Sequence, residues 1–381
     1  MAVDTISLDR AGELKRQLME FAQQPRYGQA FNDLLASERA EAEMVDGESL
    51  MILWDYFLLE HQLRNGRRVV EQFVDARRDL SELERATLLG WREVVQGPFE
   101  VQKRAGPALE VVNLVDELTY RVRSNVGPSV FRQMPRRSFL ITRLVPVGDE
   151  WMLSGPTRVL RPADRDVAYR LALDLSLRIP EAVYRNPEKL AAAWEIQRTD
   201  RARFVRFFGS DLVVLPGDLV SDRMDEYLAF CSDEVSRATP PVRPGGRSAR
   251  RFPELPPDLT EAETVGLIYD EVEGLCFFAE FGVVEAAFAD PDLLRLRHYR
   301  AHVLSYLRDD SVQPLVLRRL AERDPHRAGV LFRRLLKRPR FDWSSDGEDL
   351  LREFKEEHFD RTPRPRVSPV SVSVAAYAGR P

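Results

Sequence analysis

The sequence predicts an α+β protein made of a helical lead-in, a small antiparallel β-barrel, a linker and an all-helical C-terminal domain. Residues 91–162 are rich in strand patterns, whereas the residues on both sides of them place apolar side chains at helical spacing. Residues 236–258 are rich in proline and glycine and have no periodic apolar pattern. We therefore expect the helical lead-in at 1–90, the barrel with flanking helices at 91–235, the linker at 236–258, the helical domain at 259–360 and a disordered tail at 361–381.

The lead-in is expected to be helical throughout. Leu14, Leu18 and Phe21 recur at the spacing of one helix face. The longest apolar run of the chain, residues 50–59, is interrupted by Asp55 and is far shorter than the roughly 20 residues that cross a bilayer. This run is typical of a buried helix.

The first residues and the cysteine content indicate where the protein resides. The N-terminus contains Asp4 and Asp9 and lacks the apolar stretch of a signal peptide. Cys231 and Cys276 are the only cysteines, and an apolar residue stands directly before each of them. Two isolated cysteines are too few for a disulfide framework or a four-cysteine zinc site, so we expect buried free thiols. We expect a cytoplasmic protein with no membrane partner.

Five short runs predict the strands of the barrel. Turn signals separate the runs, and their spacing suits antiparallel hairpins. Leu118, Tyr120 and Val122 alternate with polar residues, which indicates a strand with one solvent-facing side. Ser154-Gly155 is expected to be a turn. The five runs are 99–101, 109–114, 118–123, 139–147 and 151–153.

The residues after the barrel are expected to return to helix. Residues 164–177 and 187–197 have helical patterns. Residues 204–208 and 212–215 are strand-like on either side of Gly209. They could close the barrel or form a separate hairpin.

The C-terminal domain is expected to contain only helices. Val265, Ile268, Val272 and further apolar residues up to Phe281 lie at helical spacing and predict its first helix. Prolines stand near the ends of the later helices, where proline is tolerated. The succession predicts a bundle or a solenoid-like stack. The later helices are expected at 293–307, 312–320, 328–336 and 350–359.

Charge is distributed unevenly in this domain. Residues 254–292 contain eleven carboxylates and no lysine or arginine, whereas residues 295–340 contain thirteen basic residues. The basic residues could bind phosphates, with Phe332, Phe341 and Trp343 as stacking surfaces. The alternative is that they pair with the acidic segment of the same domain. The candidate binding residues of this surface are Arg319, Arg327, Arg333, Arg334, Arg338 and Trp343.

A second basic cluster lies in a loop of the predicted barrel. It consists of Arg132, Arg136 and Arg137, and Phe131 and Phe139 stand beside it. A small barrel with arginines and aromatic residues on a loop is typical of an oligonucleotide-binding platform of the OB-like kind. Aromatic residues are also needed to fill the core of a barrel, so the same residues fit a structural role.

Neither a metal site nor a catalytic site is expected. His298 and His302 stand four residues apart on one predicted helix, as two zinc ligands can. Tyr299 occupies the place of the glutamate that a zincin motif requires, and no third ligand has a recognisable spacing. No nucleophile, base and orienting group can be assembled from the sequence. We expect no catalytic residues, no metal and no cofactor.

Four segments resemble a group of uncharacterised bacterial proteins that often carry the zinc-binding motif of the SecA C-terminus. The segments WREVVQGPFEV, RLVPVGDEWMLSGPTRVL and FFGSDLVVLPGDLV carry the resemblance, and WDYFLLEHQLRNGRRVVEQFV is similar to the helical lead-in of the group. The resemblance covers roughly residues 45–235 and implies the same architecture. The cysteine cluster of the zinc motif is absent from this sequence, so no metal is implied.

These observations favour a non-catalytic binding or scaffolding protein with a protein partner. The alternative is a nucleic-acid-associated protein that uses the arginine-rich helical surface and the barrel loop. An enzyme of unknown class is the third hypothesis.

Overall fold

The chain forms two compact units. The computed structural model describes residues 6–41, 47–238 and 252–367, together with Pro369 and Val374. The first unit consists of Met1–Ala191 and Ser368–Pro381, and the second of Ala192–Val367. This division differs from the predicted boundary at 236–258. Residues 239–251 of the predicted linker lie outside the described residues, and the linker is flanked by a helix on each side.

The first unit begins with the predicted helical lead-in. Ser7 caps the first helix by accepting a hydrogen bond from the Arg10 backbone N–H at 3.2 Å. Ser81 and Glu84 form a capping box at the start of the fifth helix, as a serine followed three residues later by glutamate predicts. The helices are α1 (Leu8–Ala22), α2 (Pro25–Glu41), α3 (Gly47–Leu59), α4 (Val69–Ala76) and α5 (Glu82–Gly90).

Five strands follow the lead-in, and each pairs with two others. Their order is β1-β2-β3-β5-β4, and β4 pairs back with β1, so that the strand pairings form a closed ring. Valines, leucines and Phe99 from the inner faces form the core inside the ring. The strands are β1 (Val95–Ala105), β2 (Ala108–Asn113), β3 (Thr119–Arg123), β4 (Phe139–Val147) and β5 (Glu150–Leu160).

The prediction of an antiparallel sheet is wrong at one pairing. β3 and β5 run parallel, with Val122 opposite Trp151 and Arg123 opposite Met152. An odd number of strands cannot alternate in direction all the way around a closed ring, so one parallel pairing is required. The predicted turn at Ser154-Gly155 is also wrong, because β5 continues through these residues with Gly155 at a φ of 73°.

Helices complete the first unit and begin the second. They are α6 (Arg165–Arg178), α7 (Pro180–Tyr184) and α8 (Pro187–Phe208), and α8 spans the boundary between the units. The helical predictions at 164–177 and 187–197 are confirmed, whereas the strand-like pattern at 204–208 belongs to α8. A run of aromatic residues fits either structure, and Phe204 here lies in the hydrophobic core of the second unit.

The prediction of an all-helical C-terminal domain is wrong. β7 (Val265–Asp270) and β8 (Gly274–Ala279) form an antiparallel hairpin, and β6 (Leu212–Leu215) pairs with β7. The apolar residues at helical spacing belong to two short continuous runs, which periodicity alone cannot distinguish from helix. Gly274, at a φ of 70°, adopts the left-handed conformation that ends the turn between the strands.

The remaining elements of the second unit are helices, in agreement with the prediction of a helical C-terminal region. They pack around a core that includes Phe281, Phe332 and Leu351. None of the helices within the described ranges is long and apolar enough to cross a membrane. The helices are α9 (Gly217–Ala238), α10 (Pro257–Thr260), α11 (Phe281–Ala289), α12 (Arg297–Arg308), α13 (Pro314–Arg323), α14 (Pro325–Leu336), α15 (Trp343–Phe354) and α16 (Glu356–Asp360).

The prediction of a disordered tail is wrong for those of its residues that the structure describes. Arg361 and Arg366 pair with Glu273 in the second unit. The side chain of Val374 is fully buried in the first unit, where the Pro369 carbonyl oxygen lies 3.5 Å from Lys189 Nζ. The other residues from 368 onward lie outside the described part of the chain.

Candidate functional site

The arginines of residues 318–340 are largely neutralised by carboxylates of their own unit. Arg334 Nη1 lies 2.6 Å from Asp292 Oδ1, and Arg323 pairs with Glu285, so the acidic segment supplies two of the partners. α15 and the residue before β6 supply others. The remaining pairs are Arg318 with Glu348, Arg319 with Asp211, Arg327 with Asp324 and Arg338 with Glu353.

Little of this surface is therefore available for phosphates. Arg333 is the one candidate arginine of this surface without an ion-pair partner among the described residues, since Arg319, Arg327, Arg334 and Arg338 are all paired. Trp343 stacks on Phe332 with ring centroids 5.1 Å apart and an interplanar angle of 20°. Phe332 and Phe341 are buried in the core. The aromatic residues that could have stacked on bases thus stabilise the fold instead.

The barrel-loop arginines have a different environment. Arg132 lies in a 3-10 helix at Pro128–Gln133, and Arg136 and Arg137 form the turn before β4. All three side chains are exposed, and no carboxylate partner occurs for them in the part of the chain that the structure describes. Phe131 and Phe139 are buried, so they fill the core rather than stack on a ligand.

The second unit contains a charged cleft with a volume of about 690 Å³. Glu273, which is only 8% exposed, receives Arg361 and Arg366 on one oxygen, and His358 Nε2 lies 3.5 Å from the other. Burial lowers the pKa of His358, and the neighbouring Arg361 lowers it further. Asp211, which also lines the cleft, accepts hydrogen bonds from two arginines, Arg201 and Arg319.

The charges of this cleft are mostly engaged with one another. A ligand would have to break these pairs to bind, which makes the cleft a poor site for an isolated anion. Cys276 lies next to the cleft on β8, but burial raises the pKa of its thiol to about 12. A thiol with such a pKa is not a nucleophile at neutral pH, because the thiolate is the reactive form.

A network of buried and partly buried charged groups in the first unit is centred on Asp55. Lys15 of α1 lies 2.6 Å from Asp55 of α3, and Arg143 of β4 lies 2.7 Å from the other oxygen of Asp55. Ser154 donates a hydrogen bond to Asp55 at 2.7 Å, and Arg143 also contacts Glu60. Burial by itself would raise the pKa of Asp55, but the two cations hold it at about 2.

This network resembles a serine–lysine pair in its distances but not in its access to solvent. Lys15 Nζ lies 3.0 Å from Ser154 Oγ. The serine is only 2% exposed, and its proton is engaged by Asp55. A substrate could not reach the hydroxyl, so the network attaches the helical lead-in to the sheet instead of serving catalysis.

An apolar groove lies in the first unit between α3 and α6. Its floor is formed by Ile141 of β4 and Arg158 of β5, and its volume is about 570 Å³. Ile52 is 39% exposed on one wall and Val167 is 46% exposed on the other. Large apolar side chains that are exposed next to one another are typical of protein-interaction sites. The other lining residues are Glu48, Ser49, Arg170, Leu171 and Asp174.

The buried network holds one wall of this groove in place. Asp55 stands three residues after Ile52 on α3, and its bonds to Arg143 and Ser154 fasten α3 to β4 and β5. The other wall is held by packing of α6 on the sheet, where the Tyr169 ring makes an edge contact with Phe139 at 5.9 Å.

Neither the network nor the groove was predicted from the sequence. A signal for the network existed, because Asp55 interrupts an apolar run and a buried carboxylate needs cationic or hydrogen-bonding partners. The groove has no such signal. Its walls are more than one hundred residues apart in the sequence, and only the folded chain brings them together.

The structure gives His298 and His302 no further ligand. Their ring centroids lie 4.6 Å apart on α12, as the four-residue spacing predicts. Within the described residues, no group of three or more histidine, cysteine, aspartate or glutamate side chains could hold a metal ion.

In comparisons with protein-family models, curated proteins and solved structures, the chain matched no family model, no curated protein and no solved structure. The resemblance to the proteins with the SecA-type zinc motif therefore stays a prediction.

Proposed function

We propose that the protein is a non-catalytic binding protein that takes an amphipathic helix of a partner protein into the groove between α3 and α6. The observation that carries the proposal is the convergence of exposed Ile52 and Val167 on one groove above the sheet. In this proposal the first unit is a small barrel of the OB-like kind with a helical lead-in, and the groove lies on the outer surface of the barrel.

The shape of the groove favours a helical ligand. Its two walls are the sides of helices, and an amphipathic helix laid between them would bury apolar side chains at positions i, i+3, i+4 and i+7. Arg158 on the floor is exposed and has no carboxylate partner among the residues described. Charge complementarity therefore favours a ligand helix that carries an acidic side chain facing Arg158.

The alternative is a nucleic-acid-associated protein that uses the arginine-rich helical surface and the barrel loop, and its helical surface has less support. The arginines of that surface are mostly paired within the unit, and the three aromatic residues near them are packed in or against the core. An enzyme has the least support, because the buried serine and the two cysteines lack access or reactivity.

A peptide selection tests the proposal. A displayed library of random peptides is selected on the full-length protein, and the enriched peptides are synthesised and measured by fluorescence polarisation. We expect the enriched peptides to share the i, i+3, i+4, i+7 apolar pattern and one acidic residue. Ile52→Asp and Val167→Asp should each weaken binding at least about tenfold, because a charge would enter the apolar contact.

Leu177→Asp is the matched control, because Leu177 is 64% exposed on α6 and does not line the groove. It should leave peptide binding unchanged. A double-mutant cycle between Arg158→Ala and replacement of the peptide's acidic residue should give a coupling of about 1 kcal/mol. Failure to enrich any helical apolar pattern, or equal loss of binding in Leu177→Asp, would contradict the proposal.

A further inference from the structure

Four arginines of the first unit are brought together by β1 and by the connection between β3 and β4. Arg104 Nη2 donates a hydrogen bond to the Pro128 carbonyl at 3.4 Å, and the Arg137 backbone N–H donates to the Val101 carbonyl at 2.8 Å. The connection therefore runs alongside the end of β1. We call the exposed arginines of this region the arginine patch; they are Arg104, Arg132, Arg136 and Arg137.

The patch is distinguished by its lack of carboxylate partners. No acidic side chain pairs with any of its four guanidinium groups in the described parts of the chain. The nearby Glu110 is already engaged by Lys103 at 3.1 Å and Arg121 at 3.9 Å, and Glu100 of β1 is partly buried. In the second unit, by contrast, most arginines of residues 318–340 are paired. The whole chain carries a net charge of −5, so a group of arginines without carboxylate partners is notable.

We propose that the arginine patch binds the phosphate backbone of double-stranded nucleic acid. Unpaired arginines in a group are the chemistry that phosphates attract, because each guanidinium offers a planar pair of donors that matches phosphate oxygens. This surface uses other residues than the groove, so the inference goes beyond the proposed protein-binding function and does not depend on it.

The surroundings of the patch determine the kind of nucleic acid. The aromatic residues of the connection and its end, Phe131 and Phe139, are buried, and so is Met134. Binding to single strands usually requires exposed aromatic rings on which bases stack. Without them the patch contacts the backbone alone, which predicts sequence-independent binding and no preference for single strands.

The test is a salt titration by fluorescence polarisation of the full-length protein with a labelled duplex of about 20 base pairs. If all four arginines contact phosphates, the slope of log K against log salt should be about −3.6. Raising the salt concentration from about 50 mM to about 200 mM should then weaken binding by about 150-fold. A single strand of the same length should bind no more tightly than the duplex.

The variant Arg132→Glu with Arg136→Glu removes two of the four cations. It should reduce the magnitude of the salt slope by about half and weaken binding by at least about tenfold at low salt. The matched control is Arg297→Glu with Arg340→Glu, two exposed arginines of the second unit that have no ion-pair partner in its described residues. It changes the net charge equally and should leave the slope unchanged. Circular dichroism establishes that both variants are folded.

Three results of the titrations with nucleic acid would overturn the proposal. They are no duplex binding at the lowest salt concentration, equal effects of the two double variants, and a clearly tighter binding of single strands. Tighter binding to vesicles rich in anionic lipid than to the duplex would equally reject it in favour of a membrane surface. Since the groove variant Ile52→Asp should not affect duplex binding, the outcome is separate from that of the peptide experiment.

Discussion

At the scale of single residues, the first unit depends on a buried carboxylate with two cations. Asp55 is 3% exposed, and the side chain of Lys15 beside it is 17% exposed. Removing one partner of such a pair leaves an uncompensated charge in the interior, which is more costly than the loss of an exposed pair. The folded-state pKa of about 2 for Asp55 has a second consequence, for the pH dependence of stability.

Lys15→Met should destabilise the protein by about 3 kcal/mol at neutral pH. The carboxyl of Asp55 has a lower pKa in the folded chain than in the unfolded chain, so its stabilising effect is present above pH 4 or so and is lost as the pH falls towards 2. Without Lys15 the folded-state pKa of Asp55 rises towards its unfolded value, so the loss of stability below pH 4 or so should become smaller and be complete at a higher pH. Urea unfolding at several pH values measures both effects.

Lys103→Met is the control for that experiment. Lys103 pairs with Glu110 at 3.1 Å, but its side chain is 65% exposed, so the pair is screened by solvent. Its loss should leave the unfolding midpoint nearly unchanged at neutral and acidic pH. A similar destabilisation by both substitutions would show that the buried network has no special role.

At the scale of elements, close contacts fix how a helix lies on the three-stranded sheet. A Cβ atom added to Gly266 of β7 would lie 2.3 Å from Phe281 Cδ2. Phe281 begins α11 and is fully buried. The absence of a side chain at Gly266 thus allows the first turn of α11 to lie directly against the strand.

Gly266→Ala should therefore destabilise the second unit by about 2 kcal/mol, the cost of overpacking a buried contact. Gly28→Ala in α2 provides the opposite case, because its added Cβ would have no neighbour within 4 Å. Alanine is the better helix former by about 1 kcal/mol, so this substitution should stabilise the first unit. Thermal unfolding of the two variants checks the opposite signs, and a stabilised Gly266→Ala protein would contradict the contact.

At the scale of the whole molecule, the predicted linker does not separate the two units. Residues 236–258 extend from the end of α9 to the start of α10, and both of these helices belong to the second unit. β6, which precedes the segment, pairs with β7, which follows it. The aromatic core that includes Phe204 and Tyr227 likewise joins residues from both sides of the segment.

Limited trypsin digestion should cut first at Arg243, Arg247 and the other arginines of the segment, whose composition is that of a linker. The two fragments should nevertheless stay associated, because the strand pairing and the aromatic core connect them. Size-exclusion chromatography should give one peak at the position of the intact protein, and denaturant should separate the fragments. Two separate peaks without denaturant, or a first cut within 91–162, would contradict this expectation.

The sequence by itself determined the local structure of most of the chain. The helical lead-in, the five strand runs and the later helices follow from apolar periodicity and turn signals, which depend on neighbouring residues alone. The hairpin of β7 and β8 was missed because short continuous apolar runs fit helix and strand equally well. For the candidate sites, the sequence identified Arg132, Arg136 and Arg137, because a cluster of arginines within one loop is visible without the fold.

Only the tertiary structure decided which arginines remain without a carboxylate partner and which grooves form on the surface. Arg334 and Arg338 stand beside other basic residues in the sequence, as Arg136 does. In the folded chain, however, they pair with Asp292 and Glu353, which lie outside their own segment of the sequence. The groove likewise arises from Ile52 and Val167, which stand far apart in the sequence. Ion pairs and grooves depend on contacts between distant elements, whereas a sequence pattern reports only the few residues of its own helix or strand.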